Sequence, residues 1–166
     1  MATTQKLPVE WVTTENFQAY GQVIFPSQDG KAFDSEDAQL ILDQGTPRFY
    51  IMRLQKRGRK FHHITRHVKC SQCLGSLAGK DWFIAVCPPE NHLKEPTIGK
   101  ISAFRIPGNC FIKLNVGTWH AGPYFDHDVV DFYNLELSDT NIADHFTHNF
   151  LQSHEIEFEL VVNGEV

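Results

Sequence analysis

The sequence contains no apolar run approaching the roughly 20 residues that a helix needs to cross a bilayer. Its opening, "MATTQKLPVEW", has neither the basic start nor the apolar core of a secretory signal. No organelle-targeting peptide is visible either, so the expectation is a cytoplasmic protein without membrane contact. Positive charge is short as well. Fifteen Lys and Arg face 20 Asp and Glu, a net charge of -5, which offers no basic field to nucleic-acid phosphates or anionic lipid. Cysteine is scarce. Cys70, Cys73, Cys87 and Cys110 are too few and too clustered for the disulfide framework of a small secreted domain, and reduced thiols are expected. Internal repeats and low-complexity tracts are absent. What is present is a 42% hydrophobic chain of 166 residues with 13 Phe. That is enough for one domain with a full core and too little for two ordinary ones, so residues 1–166 are read as a single domain.

Near the start, "TTENFQAYG" reads as a short helix capped by Thr13 or Thr14, carrying Phe17 and Tyr20 on one face and closed by Gly21. Residues 31–45 are polar and aperiodic, as in a surface loop. From Pro47 onward the pattern changes to short runs rich in Phe, Ile, Val and Tyr, punctuated by Gly and Pro. The candidate strands are "RFYIMRLQ", "FHHITRH", "QCLGSLA", "DWFIAVCP", "ISAFRIP", "CFIKLNV", "DVVDFYNLEL" and "EIEFELVV". Strands at this spacing predict an all-β sandwich or barrel with antiparallel pairing.

The stretch "HHITRHVKCSQCLGSLAGKDW", His62 to Trp82, poses the choice between a metal site, a redox pair and a hairpin. Cys70 and Cys73 have no second thiolate pair at zinc-ribbon spacing and no βαβ setting for thioredoxin-like chemistry, so packing is their reading. The histidines fit a different template. In cupins one hairpin carries His-x-His, a Glu and then a Gly, and a later hairpin carries Pro-x-Gly-x-x-His. Here Thr65-x-His67 fills the first pair, Gln72 stands at the Glu position and Gly79 at the Gly, while Asn115-x-Gly117-x-x-His120 fills the second motif. Residues i and i+2 of a strand share a face, so Thr65 and His67 both enter the barrel, with Gln72 facing them and His120 arriving from the opposite sheet. The fold predicted is a cupin-type double-stranded β-helix, a jelly-roll barrel with short flanking helices. For a divalent ion, His67, Gln72 and His120, with His63 in reserve by parity, offer at most a loose hold. Thr65 replaces a His and Gln72 replaces the anionic Glu.

Longer agreement surrounds both motifs: "YGQVI" from Tyr20, "RFYIMRL" from Arg48, "ITRH" through Gln72, "FIKLNVGTWHAGPYF" from Phe111 and "VDFYNLEL" from Val130. With these pieces the chain resembles the ureidoglycolate lyase family, formerly called ureidoglycolate hydrolases, and its plant-like branch in particular. The resemblance implies a cupin-type barrel, usually a homodimer, acting in purine and allantoin catabolism. Its implied substrate is a small anionic ureido acid, split into glyoxylate and urea. The chain departs from the bacterial branch at Lys113, where an aromatic residue occurs there, and along "QCLGSLAGKDW".

Ureidoglycolate is a hemiaminal of glyoxylate, and its cleavage needs a base for the hydroxyl proton and an acid for the departing nitrogen. Histidine suits either task. The candidates are His120 as base or metal ligand and His67 as its partner, with Gln72 beside them. Arg53 either clamps the substrate carboxylate or stands exposed on its strand. Lys113 and Asn115 share parity and are candidates to meet the anion and the ureido group, unless Lys113 reaches solvent. Trp119 has the parity for packing, unless a bend at Gly117 brings it to the ligand, and Asp131 either orients a histidine or Arg53 or lies on the surface. The alternatives to a lyase are a metal-dependent cupin of other chemistry, such as an oxygenase or isomerase, and a binding module without catalysis.

Overall fold

A computed structural model describes residues 1–165, and among them are thirteen strands, two short α-helices and one 3-10 turn (Ile98–Lys100) between the seventh and eighth strands. The chain runs β1 (Thr3–Trp11), β2 (Gly21–Ile24), β3 (Pro47–Gln55), β4 (Lys60–Phe61), β5 (His63–Arg66), β6 (Gln72–Ser76), β7 (Gly79–Cys87), β8 (Ser102–Gly108), β9 (Phe111–Leu114), β10 (Trp119–Tyr124) and β11 (Val129–Leu137). Then follow α1 (Thr140–Ala143), β12 (Phe146–Asn149), α2 (Phe150–His154) and β13 (Ile156–Val162). One sheet has the order β12-β5-β10-β7-β8-β1-β13-β4 and the other β2-β9-β6-β11-β3. All pairs are antiparallel except β1 with β13 and β1 with β8. This is the all-β, double-sheet barrel that the strand spacing predicts.

Period-two alternation builds two cores. Between the sheets, Trp82, Ile84, Val86, Phe104 and Ile106 of the large sheet meet Leu74, Ile112, Leu114, Val130 and Phe132 of the small one. On the other face of β7, Phe83, Ala85 and Cys87 join Trp119, Leu7, Val9, Phe158 and Leu160. With both faces covered, β7 reads as the unbroken apolar run "WFIAVC", as strands buried on both sides do. Each large apolar side chain so buried contributes roughly 1.5–3 kcal/mol.

The helix expected at the start is a set of turns. Thr13 N–H donates to Asn16 Oδ1 (2.8 Å) and Asn16 N–H to Thr13 Oγ1 (3.0 Å), closing the chain locally, and the amides of Tyr20 and Gly21 both donate to the Phe17 carbonyl. Phe17 and Tyr20 are nevertheless buried as the lid face expected of them. Gly21 opens β2 rather than closing a helix, and it packs against the Lys113 carbonyl so closely that a Cβ would collide with it. Residues 31–45 form no regular element and fold over the outer face of the small sheet, where the Ser71 amide donates to the Ile41 carbonyl (3.0 Å). The four cysteines are buried and free. Burial pushes the Cys73 thiol up to about 12 and those of Cys87 and Cys110 up to about 11, so they are inert packing groups.

Candidate active site

A cavity of about 350 Å³ lies between the two sheets, beyond the end of the apolar core. The large sheet contributes Thr65 from β5 and His120 from β10, which are paired directly across the two strands. The expected origin of His120 in the opposite sheet is therefore corrected: it is Gln72, on β6 of the small sheet, that faces Thr65 and His120 across the barrel. Strand pairing brings His120 beside Thr65 because β10 inserts between β5 and β7.

His67 follows the last residue of β5 and is buried. Its Nδ1 lies 2.6 Å from the Asp144 carbonyl oxygen. A carbonyl only accepts, so Nδ1 carries the proton and Nε2 keeps its lone pair. Asp144 is itself buried, and its carboxylate accepts from the amides of Val68 (2.8 Å) and Lys69 (2.9 Å). One residue thus fixes both the turn after β5 and the tautomer of the histidine that the turn carries. The His120 ring sits 5.1 Å from that of His67, and the His145 ring 5.7 Å on another side.

Electrostatics keep this pair uncharged. Burial is the main cause of the lowered pKa of His67, with the Asp144 contacts pulling the other way. For His120, burial and then the neighbouring His67 push the value down to about 3. Its Nδ1 is enclosed and has no hydrogen-bond partner. Both imidazoles are neutral at pH 7.

The floor belongs to the small sheet. Gln72 Nε2 donates to Asn134 Oδ1 (3.1 Å) and Glu136 Oε2 (3.3 Å), and Tyr50 Oη donates to Glu136 Oε1 (3.1 Å) while accepting from Asn134 Nδ2 (3.1 Å). Asn141 Nδ2 also donates to Glu136 Oε1 (3.2 Å). At the exposed side stand Arg57, in the loop after β3, and His63. The guanidinium of Arg57 donates to the Pro123 carbonyl (3.1 and 3.3 Å) and lies 5.3 Å from the Tyr124 ring centroid.

Of the residues singled out from sequence, His67, His120, Gln72 and the reserve His63 meet in this cavity. Five others do not line it. Arg53 and Asp131 form a bidentate ion pair (2.8 and 3.0 Å) directly across β3 and β11, on the outer face of the small sheet. Lys113 is on that outer face too, opposite Cys73 and under the 31–45 segment, where its Nζ donates to Asn115 Oδ1 (2.7 Å). Asn115 lies behind the histidines with Cys70 and Thr118. Trp119 packs in the second core with the Arg66 guanidinium 4.6 Å from its ring centroid, so Gly117 does not bend it to the ligand. Sequence reasoning missed Tyr50, Arg57, Asn134, Glu136, Asn141 and His145.

The donors present do not fit a tightly held divalent ion. His67, His120 and Gln72, two neutral imidazoles and an amide, form a weak set; Thr65 Oγ1 is engaged with Thr147 Oγ1 at 2.9 Å, and the Glu136 carboxylate already accepts from Tyr50, Gln72 and Asn141. Among the described residues no three His, Cys, Asp or Glu groups converge as a metal-binding cluster.

A barrel of two facing sheets that encloses a polar, histidine-lined cavity is a cupin-type barrel with the makings of a small-molecule site. Within that class the chain belongs to the ureidoglycolate lyase family, whose model matches residues 4–157. That family is one of enzymes, lyases by description. No curated protein matches the chain. Among solved structures it is similar to RmlC from Streptococcus suis in complex with dTDP-D-xylose, at 12% identity and a TM-score of 0.41, over 54% of this chain and 43% of that one. It is also similar to the dTDP-6-deoxy-D-glucose-3,5-epimerase RmlC from Legionella pneumophila in complex with dTDP-4-keto-L-rhamnose, at 16% identity and a TM-score of 0.40, over 84% of this chain and 69% of that one.

Proposed function

We propose that the protein cleaves ureidoglycolate to glyoxylate and urea, within purine and allantoin degradation. The observation that carries this reading is the match of residues 4–157 to the ureidoglycolate lyase family, on a chain whose cavity sets His67 within reach of one ligand together with Arg57. Arg57 is the cavity's guanidinium and takes the substrate carboxylate in its fork. His67 Nε2 removes the hydroxyl proton. The O–H electron pair forms the aldehyde C=O, the C–N bond breaks, and its electron pair leaves on the urea nitrogen. That nitrogen and the hydroxyl oxygen are attached to one carbon, so the same imidazolium returns the proton to nitrogen and ends neutral. His120, held neutral, hydrogen-bonds the reacting centre without competing for that proton. No water is consumed. Urea should therefore accompany glyoxylate one for one, above the spontaneous reaction. Ammonia in place of urea would mean attack by water at the ureido carbonyl and would overturn the lyase reading.

The assignment of the carboxylate separates two arginines. Arg57→Ala should lower kcat/KM about 10- to 100-fold, mostly through KM, as loss of a charge-assisted contact does. Arg53→Ala, which breaks only an exposed ion pair, should leave steady-state kinetics as in the wild type.

The same reading extends to the assembly, a homodimer in the cytoplasm, where four reduced thiols are at home. What supports the dimer is the outer face of β3, an edge strand, where Phe49 and Ile51 are 70% and 63% exposed and Phe49 touches Tyr133. Phe49→Asp should shift the mass measured by light scattering from two chains to one. A wild type that elutes as one chain at micromolar concentration would contradict the dimer.

A further inference from the structure

The cavity floor has too many acceptors for the donors it contains. Glu136 is 1% exposed, yet the groups that reach it, Tyr50, Gln72 and Asn141, are all neutral. No salt bridge reaches it among the described residues. Arg48, directly opposite Glu136 on β3, holds its guanidinium over the Tyr50 ring, 3.6 Å from the centroid, rather than in an ion pair with the carboxylate. A buried carboxylate met only by neutral hydrogen-bond donors is costly, and one that faces a cavity is a site for donors from a ligand. Gln72 points the same way. Its amide nitrogen is committed to Asn134 and Glu136, both acceptors, so its orientation is fixed, and its Oε1 is enclosed with no partner. His67 Nε2 adds a third lone pair, because the Asp144 carbonyl holds the proton on Nδ1. Glu136 and Gln72 thus line the cavity from the small sheet and His67 from the end of β5 in the large one, while the guanidinium of Arg57 stands at its exposed side.

We infer that Glu136, with Gln72 Oε1, reads the terminal –NH2 of a ureido group and is the residue that selects ureido acids over acids with an apolar or oxygen-bearing end. The substrate then lies in one direction only. Its carboxylate is at Arg57, its hydroxyl at His67 and its NH2 at Glu136, so that every acceptor of the floor meets a hydrogen of the ligand. A methyl group in place of NH2 would leave Glu136 and Gln72 Oε1 buried against carbon. Sites built to hydrogen-bond a substrate N–H reject such analogues strongly. Glu136 breaks no bond and moves no proton in this scheme; it is a specificity residue. The inference rests on the lyase reading for the identity of the substrate, but its test does not depend on turnover.

The test uses N-carbamoylglycine, which lacks the hydroxyl and cannot be cleaved, and N-acetylglycine, which differs only by CH3 for NH2. Calorimetry on the wild type should show N-carbamoylglycine bound at least about tenfold more tightly, and Glu136→Gln should narrow that ratio to a few-fold. Equal binding of the two by the wild type, or an unchanged ratio in a folded Glu136→Gln, would overturn the inference. If the variant does not fold, the wild type decides by nuclear magnetic resonance of 15N-labelled N-carbamoylglycine. NH2 protons moved downfield and slowed in exchange on binding support the contact, and free-solution signals overturn it. A preserved preference without any turnover of ureidoglycolate would remove the lyase reading alone; turnover without the preference would remove this inference alone.

Discussion

Replacing His67 by Gln should lower kcat for glyoxylate release by about a thousandfold, within the usual 10²- to 10⁴-fold contribution of a positioned base, while the fold should survive. Gln fills much of the imidazole's volume and its amide can still donate to the Asp144 carbonyl, so the turn held by the Asp144 carboxylate stays in place. What is lost is the basic lone pair. The pH profile of the wild type carries the same signature. Burial lowers the pKa of His67 below the ordinary histidine value of 6.5, and the reaction needs the neutral form. Activity should therefore be flat on the acid side of neutrality and fall only once pH drops below that ordinary value. A limb centred at or above 6.5 would mean that His67 is not the group titrating.

The second large effect is on stability in acid. His120 is held down to about 3 in the folded chain, against about 6.5 in an unfolded one. Between those values the unfolded state binds a proton that the folded state refuses, so stability rises with pH across this window and is lost as pH falls. The loss begins below pH 6.5 and saturates near pH 3, where it amounts to on the order of 4 kcal/mol from this residue. His67, displaced in the same direction, adds to it. Denaturant melts at pH 7.5 and pH 4.5 read the difference. His120→Asn, which has no proton to gain, should lose distinctly less stability between the two pH values than the wild type. An equal loss in both proteins would show that the folded chain does not hold His120 neutral.

The residues of this site differ in how far a strand pattern could betray them. The spacing of Thr65, His67, Gln72 and His120 follows from strands and turns of fixed length, and it placed all four around one cavity. Alternation could also have placed Glu136. In "VVDFYNLEL" the buried Val130 and Phe132 share parity with Asn134 and Glu136, and Asp131 has the other parity. The same reasoning sets Lys113 outward between Ile112 and Leu114. In β3 the signal is obscured for a physical reason. Phe49 and Ile51 are apolar but exposed, so the outward face looks as hydrophobic as the inward one and the direction of Arg53 cannot be read.

Loops carry no period at all, which is why Arg57 and His145 were invisible. Two strands were hidden by composition. In β1, Pro8 argues against a strand, but β13 pairs along Thr3–Val9 and β8 along Val9–Trp11, so at Pro8 only one side of the strand is bonded. In β10, Gly122 and Pro123 interrupt the pattern, and the register shifts between Ala121 and Tyr124.

The most direct measurement is the time course of glyoxylate from ureidoglycolate with wild-type protein dialysed against a chelator, beside the same protein carrying His67→Gln. The account predicts release well above the spontaneous rate from the metal-stripped wild type, with one urea per glyoxylate, and release near the spontaneous rate from the variant. Wild-type release no faster than the spontaneous reaction, or equal release by both proteins, would contradict it.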